Sequence, residues 1–309
     1  MAPVTIVRGV ALGIMLLVLA TGTASAAAFR AETALGPVAI SSHCRSFTQG
    51  EAVLIRLSSP AFSSAVARFD GTAHRFTPLG TEGTFGVLLP LDLDLEPRDY
   101  HLEVSLSFHD GSELRAPLTL SLEGGVFPST TLSVDPRFVS PSPEELERIR
   151  EERALLDELY ARGTAEWLGD GNFSRPLAGS VSSPFGVRRI FNETVQSRHR
   201  GVDLRSPPGT PVLAANAGNV LLARSLFYAG NIVIIDHGMD LFTLYCHLSD
   251  ITVAEGEFIG KETPVGTVGA TGRVTGPHLH WGARIVGVNV DPLSLLHLPF
   301  ERPFQISAE

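Results

Sequence analysis

The sequence predicts a mostly-β chain: an N-terminal antiparallel β-sandwich, a connecting helix, and a C-terminal β-rich domain with an open groove. Three observations carry this. Apolar and polar residues alternate with period two between about Phe29 and Leu122, a helix start signal stands at Ser142, and strand-like runs return after Pro176 amid a high density of glycine. A chain of 309 residues also suits two domains of roughly 100 to 150 residues each.

Residues 1–26 read as a secretory signal peptide. One positive charge at Arg8 precedes an apolar stretch from Val10 to Ala20, and small residues end in Ala24-Ser25-Ala26. Cleavage at this Ala-x-Ala site is favoured over an uncleaved anchor, so the expected chain is exported and keeps no stable membrane span.

The stretch 27–125 is assigned to the sandwich. Runs such as Ala52-Val53-Leu54-Ile55-Arg56-Leu57 and Tyr100-His101-Leu102-Glu103-Val104-Ser105-Leu106 alternate, and Asp70-Gly71 and Asp110-Gly111 break them as turns. An immunoglobulin-like arrangement is one option for the strand order, which the sequence leaves open.

Residues 126–175 form a linker that contains a helix over 143–162. Ser142 is its N-cap, Pro143 takes the first helical position, Glu145 completes a capping box, and Gly163 ends it. Leu146, Ile149, Leu156 and Leu159 make an apolar stripe that should pack on a domain.

The second β-rich domain spans 176–300 and a short tail covers 301–309. Strands are expected over 219–223, 232–236, 241–247, 265–268 and 279–285, with glycine-rich turns between them.

The formal net charge of -9, with no Lys/Arg run, argues against a nucleic-acid partner. Cys44 and Cys246 are the only cysteines. They fall in different predicted domains, so two unpaired, small apolar side chains are favoured over a disulfide.

Ten histidines are present, and four of them have spacing that can build a metal site. His199 and Asp203 lie four apart with Gly201 between them to let the chain turn. His278 and His280 stand at i and i+2 on a predicted strand, so both point to one face while Leu279 points to the other. Catalytic zinc sites take three protein ligands of imidazole and carboxylate type.

Three segments occur in order: His199-x-x-x-Asp203, Leu244-Tyr245-Cys246-His247-Leu248, and Thr271-Gly272-Arg273-Val274-Thr275-Gly276-Pro277-His278-Leu279-His280. Together with Ser183-Pro184-Phe185-Gly186 and Val290-Asp291-Pro292, they resemble the lysostaphin-type, or LytM-type, zinc metallopeptidases over roughly 176–299. The resemblance implies one Zn2+ per chain held by His199, Asp203 and His280, with His247 and His278 catalytic. It implies a peptidoglycan peptide as substrate; because no recognisable cell-wall-binding repeat flanks the peptidase part, the expected setting is a Gram-negative periplasm, and D-Ala to diaminoacid cross-links are preferred over Gly-Gly bridges.

Other residues near these motifs receive smaller roles. His237 in Asp236-His237-Gly238 is read as a turn residue and Asp291 as a turn organiser. Tyr245, two residues before His247, shares its strand face and either lines the substrate cleft or packs. Cys246 is placed on the opposite face, in the core. His43, His74, His101, His109 and His297 receive no role.

The alternative is a non-enzymatic LytM-type activator of another cell-wall hydrolase. The intact set of five residues disfavours it, since such relatives have lost ligands. A regulatory protein partner stays open, as does a sandwich that covers the groove.

Overall fold

The computed structural model describes residues 27–59 and 62–300. The leader over 1–26 and the tail over 301–309 lie outside the described residues. The chain divides into two compact units, one containing residues up to Gly125 and the other Val126–Leu296. Both are built mainly of strands, as expected.

Among the described residues the first unit contains nine strands: β1 (Ala28–Thr33), β2 (Gly36–His43), β3 (Ala52–Ser58), β4 (Ser64–Phe69), β5 (Thr72–Arg75), β6 (Thr77–Pro78), β7 (Thr84–Pro90), β8 (Asp99–Ser107) and β9 (Glu113–Ser121). They form two antiparallel sheets in the orders β1-β2-β3-β7-β6 and β5-β4-β8-β9. Alternation does here what period two requires. Along β9, Leu114, Ala116, Leu118 and Leu120 are buried while Glu113, Arg115, Pro117, Thr119 and Ser121 are exposed. Pro117 is tolerated because β9 is an edge strand, where a missing N–H breaks no ladder. One core cluster draws on both sheets, including Ile40, Ile55 and Leu89 from the first and Ala67, Leu102 and Leu118 from the second.

The second unit begins with β10 (Ser129–Leu132) and α1 (Pro143–Tyr160). It continues through β11 (Ser180–Ser183), β12 (Arg188–Phe191), β13 (Val195–Arg198), β14 (Gly201–Arg205), β15 (Pro211–Leu213), β16 (Gly218–Leu226) and β17 (Gly230–Asp236). After these come β18 (Leu241–Ile251), β19 (Phe258–Ile259), β20 (Pro264–Val268), β21 (Leu279–Ile285), β22 (Val288–Val290) and α2 (Pro292–Leu295). The main sheet runs β11-β14-β21-β18-β17-β16-β19, and a small sheet runs β10-β12-β13.

The stretch read as a linker belongs to this second unit. β10 pairs in parallel with β12, a non-local pairing that leaves no local sequence pattern. Helix α1 starts on the expected capping box: Ser142 Oγ accepts from Glu145 N at 3.2 Å, and Glu145 Oε2 accepts from Ser142 N at 2.9 Å. Of its apolar stripe, Leu156 and Leu159, with Leu155 and Tyr160, cover Leu222, Ile232, Ile234 and Phe242. Ile149 packs instead against Phe138 and Phe227, and Leu146 stays exposed. The helix cover explains why Ile232-Val233-Ile234-Ile235 in β17 is buried at every position: both faces of that strand are roofed. Gly163 follows the helix because a Cβ there would lie 2.7 Å from the Phe242 ring.

Candidate metal centre

Strands β14 and β21 are antiparallel neighbours, and their register sets Asp203 directly opposite His280. Opposed residues share a sheet face, so the carboxylate and the imidazole converge. His199 sits just before β14, where its N–H donates to Val187 O at 2.8 Å. His199 Nε2, Asp203 Oδ1 and His280 Nδ1 then form a triangle with sides of 2.9, 3.0 and 3.0 Å. These three residues are the group able to hold a metal ion among the described residues.

The donor set fits a cation. His199 Nδ1–H donates to Pro184 O at 2.7 Å, so the neutral ring turns the lone pair of Nε2 into the triangle. Asp203 Oδ1 is an acceptor, and His280 Nδ1 can supply one proton at most. Three electron pairs with at most one proton between them are matched by a metal. Zinc bonds of about 2.0–2.1 Å at tetrahedral angles place ligand atoms roughly 3.3 Å apart, close to these sides.

Burial lowers the His199 pKa to about 4 and keeps the ring neutral, the state a ligand needs. For Asp203, burial works to raise the pKa, but hydrogen bonds and charge from His199 and His280 outweigh it and hold the carboxyl well below the ordinary range. Its second oxygen, Oδ2, accepts from the Arg189 guanidinium, which also donates to Ser183 Oγ at 2.9 Å. Arg189 on β12 was not singled out from the sequence. Its partner lies fourteen positions along the chain, across two sheets, and no spacing rule points to it.

Gly201 has a different role from the one expected. It is not in a left-handed conformation. Instead, a Cβ there would lie 2.5 Å from Trp281 O and 2.8 Å from both Cε1 and Nε2 of His280. The residue is glycine because the His280 ring occupies the space of a side chain.

His278 and His247 flank the triangle. His278 Nδ1–H donates to Gly276 O at 2.8 Å, leaving Nε2 bare at 3.6 Å from Asp203 Oδ1. His247 Nδ1–H donates to Thr271 O at 2.9 Å, and its ring centroid lies 5.0 Å from that of His278 and 5.9 Å from that of His280. Burial first, then the adjacent imidazoles, lowers the His247 pKa to about 3. The five residues singled out from the sequence thus stand together.

Strand alternation fails at His247, which corrects the face assignments for both Tyr245 and Cys246 relative to it. The β17–β18 ladder pairs Val233 with Tyr245 but Asn231 with Leu248, so one extra residue stands on β18. His247 absorbs it at φ +67°, a left-handed conformation that a non-glycine residue seldom adopts. Its ring consequently joins the face of Cys246 and His280, which are paired across β18 and β21. Tyr245 points the other way and is fully buried, with its hydroxyl accepting from Ala215 N at 2.8 Å and hydrogen-bonded to Thr243 Oγ1 at 3.0 Å. It packs and does not line a cleft.

The remaining candidates fall into structural positions. Cys44 and Cys246 are free thiols. His237 lies in the β17–β18 turn but is wholly buried, with Nδ1–H donating to Ala217 O at 2.8 Å and Nε2 accepting from Thr243 Oγ1 at 2.7 Å. Asp291 caps α2, its carboxylate accepting from Leu293 N at 3.0 Å.

A cleft of about 470 Å3 opens beside the triangle. Asp203 and His278 border it, β10 contributes Ser129 and Thr130 to one wall, and Arg189, Arg205 and Arg273 give it a basic lining.

Residues 197–292 match the description Peptidase family M23. Peptidoglycan DD-endopeptidase ShyA of Vibrio cholerae is 41% identical over 114 residues, covering 37% of this chain and 26% of that protein. DD-carboxypeptidase/endopeptidase Mpg of Neisseria meningitidis is 44% identical over 115 residues, covering 37% and 26%. The match therefore spans about a quarter of the length of these relatives. A crystal structure of a putative peptidase M23 from Pseudomonas aeruginosa superposes with a TM-score of 0.60 at 27% identity, over 81% of this chain and 95% of that one. With its His-Asp-His triangle and two flanking imidazoles in the matched stretch, the chain carries a domain of peptidase family M23.

Proposed function

We propose that this chain is an exported zinc metalloendopeptidase that hydrolyses amide bonds in peptidoglycan cross-link peptides, with D-Ala to diaminoacid bonds preferred over Gly-Gly. The observation that carries the reading is the triangle of His199 Nε2, Asp203 Oδ1 and His280 Nδ1 within 3.0 Å, bordered by two imidazoles that are not part of it. The names of the two relatives support the bond preference. Export rests on the leader-like residues 1–26, and a periplasmic location on export taken together with the endopeptidase reading.

His199, Asp203 and His280 would hold the zinc. When bound, zinc supplies Lewis acidity towards the scissile carbonyl and makes water a stronger acid. The chain's other residues do the rest. His247 and His278 both have Nδ1–H tied to a backbone carbonyl, which fixes each ring and leaves each Nε2 as the proton-accepting atom. One such nitrogen can take a proton from the attacking water and return it to the leaving amine; an imidazolium beside it can donate to the developing oxyanion. Arg189 fixes Asp203 by its far oxygen, so that Oδ1 faces the metal position.

The deciding experiment is digestion of purified sacculi by residues 27–309 with mass spectrometry of the products, beside a chelator control and His280→Ala. Conversion of cross-linked dimers to monomers, abolished by both controls, is the expected result, and the product masses name the bond. A chain that holds no zinc and cuts nothing would sink this reading in favour of a non-enzymatic activator.

A further inference from the structure

Arg273 stands in the loop between β20 and β21, and its environment differs from that of every other basic residue bordering the cleft. Its guanidinium carbon lies 4.3 Å from the Phe191 ring centroid and 4.6 Å from that of Tyr228. Among the described residues it has no carboxylate partner; the charged neighbour that acts on it is another cation, Arg189. Arg189 itself is engaged by Asp203, and Arg205 is exposed at the rim. A half-buried guanidinium held on two aromatic faces, with its hydrogen-bond fork unused, is arranged to meet an anion. Burial depresses its pKa, the sign of a cation short of compensation.

The loop is also fixed relative to the chemistry. Arg273 N donates to Tyr228 O at 2.9 Å, and two residues earlier Thr271 O accepts from His247 Nδ1. Gly272, at φ +74°, allows the approach, since a Cβ there would lie 2.4 Å from Gly230 N. Arg273 therefore cannot drift independently of His247.

We infer that Arg273 is the substrate-carboxylate receptor of this cleft, selecting cross-links in which the carbon bearing the scissile amide nitrogen also carries a free carboxylate. The inference rests on the endopeptidase reading above and names the substrate class it serves. A diamino-diacid cross-link has such a carboxylate next to its acylated amine. A Gly-Gly bridge has none, so the same contact separates the two bond types. A planar guanidinium can take the carboxylate through two parallel N–H donors, which Lys cannot reproduce.

The test uses residues 27–309 with zinc and two synthetic cross-link peptides, identical except that the carboxyl beside the scissile nitrogen is free in one and a primary carboxamide in the other. The wild-type chain is expected to favour the free carboxylate by about 10- to 100-fold in kcat/KM, the range for a charge-assisted hydrogen-bonded contact. Arg273→Gln is expected to bring that ratio to within about threefold of one, and Arg273→Lys to leave it in between. Wild-type cleavage of both peptides at equal rates overturns the inference while leaving the endopeptidase reading intact. A proportional fall on both substrates in Arg273→Gln overturns it in favour of a purely structural role. Cleavage of neither peptide by a zinc-loaded wild-type chain overturns both readings. The wild-type ratio alone decides the matter if the variants do not fold.

Discussion

A Cβ placed on Gly201 would lie 2.8 Å from Nε2 of His280, so the identity of one residue is set by the ring of the other. They meet because Gly201 pairs with Gly282 across β14 and β21, two positions from the Asp203–His280 pair. Gly201→Ala must displace either the imidazole or the Trp281 carbonyl. The expected outcome is a zinc affinity weaker by about 10- to 100-fold, measured by competition with a chelating dye. It should be accompanied by about 1–3 kcal/mol of lost stability in urea denaturation. Unchanged zinc affinity would remove the steric account of this glycine.

Arg189→Met leaves the buried Asp203 Oδ2 without its cation while preserving most of the side-chain volume. Breaking a buried pair on one side typically costs about 3 kcal/mol, and here that cost should appear in zinc-free protein. Zinc affinity should also fall, since the carboxylate loses the contact that orients it. Calorimetric zinc titration of Arg189→Met beside Arg189→Lys checks this. If both variants bind zinc like the parent chain, Arg189 has no part in the site.

Thr271 ties the loop that steers His247. Its Oγ1 accepts from Asn231 N at 2.9 Å and donates to Leu248 O at 2.8 Å, while its carbonyl takes the His247 Nδ1 proton. Thr271→Val keeps the shape and removes both side-chain bonds. A fall of about tenfold in kcat with one zinc per chain retained is expected, because the imidazole loses its alignment and the His199, Asp203 and His280 triangle does not. A variant with full kcat would show that the carbonyl is positioned without the hydroxyl.

Removal of the metal should be visible in the melting of the second unit. Zinc present at about 1,000 times its dissociation constant adds about 4 kcal/mol, or about 10 °C for a domain of this size. A chelator should lower Tm by that amount, zinc should restore it, and Asp203→Asn should show neither response. A chelator-insensitive Tm in a zinc-loaded wild-type sample contradicts the assignment of the triangle.

What the sequence revealed and what it hid follow one physical division. The His-x-His pair was readable because period two is a local property of the strand, and β21 spans the expected Leu279–Ile285. The capping box at Ser142 was readable for the same reason. Tyr245 was misassigned because the rule was applied across a bulge, and nothing in Leu244-Tyr245-Cys246-His247-Leu248 announces a left-handed histidine. Arg188 and Arg189 are adjacent and chemically identical, yet Arg188 is exposed and Arg189 reaches Asp203; only the fold separates them. β10 was hidden because a parallel partner far along the chain imposes no pattern on Ser-Thr-Thr-Leu.

His237 supplies a pH dependence separate from the triangle of His199, Asp203 and His280. Its ring is fully buried between Ala217 O and Thr243 Oγ1, and burial lowers its pKa to about 4, against about 6.5 in an unfolded chain. Below about pH 6.5 the unfolded state takes up a proton that the folded state refuses, so stability is full above that value. It falls as pH drops towards about 4 and levels off once the folded ring also protonates. The full loss from this one residue is about 3 kcal/mol. Urea denaturation of chelator-treated protein between pH 7.5 and pH 4.5 should show the decline. His237→Gln, which can still accept and donate at this site but cannot titrate, should be less stable at pH 7.5 yet have a shallower slope. Equal slopes in the two proteins would mean that acid unfolding is governed by other groups, His199 and His247 among them, whose pKa values burial also lowers.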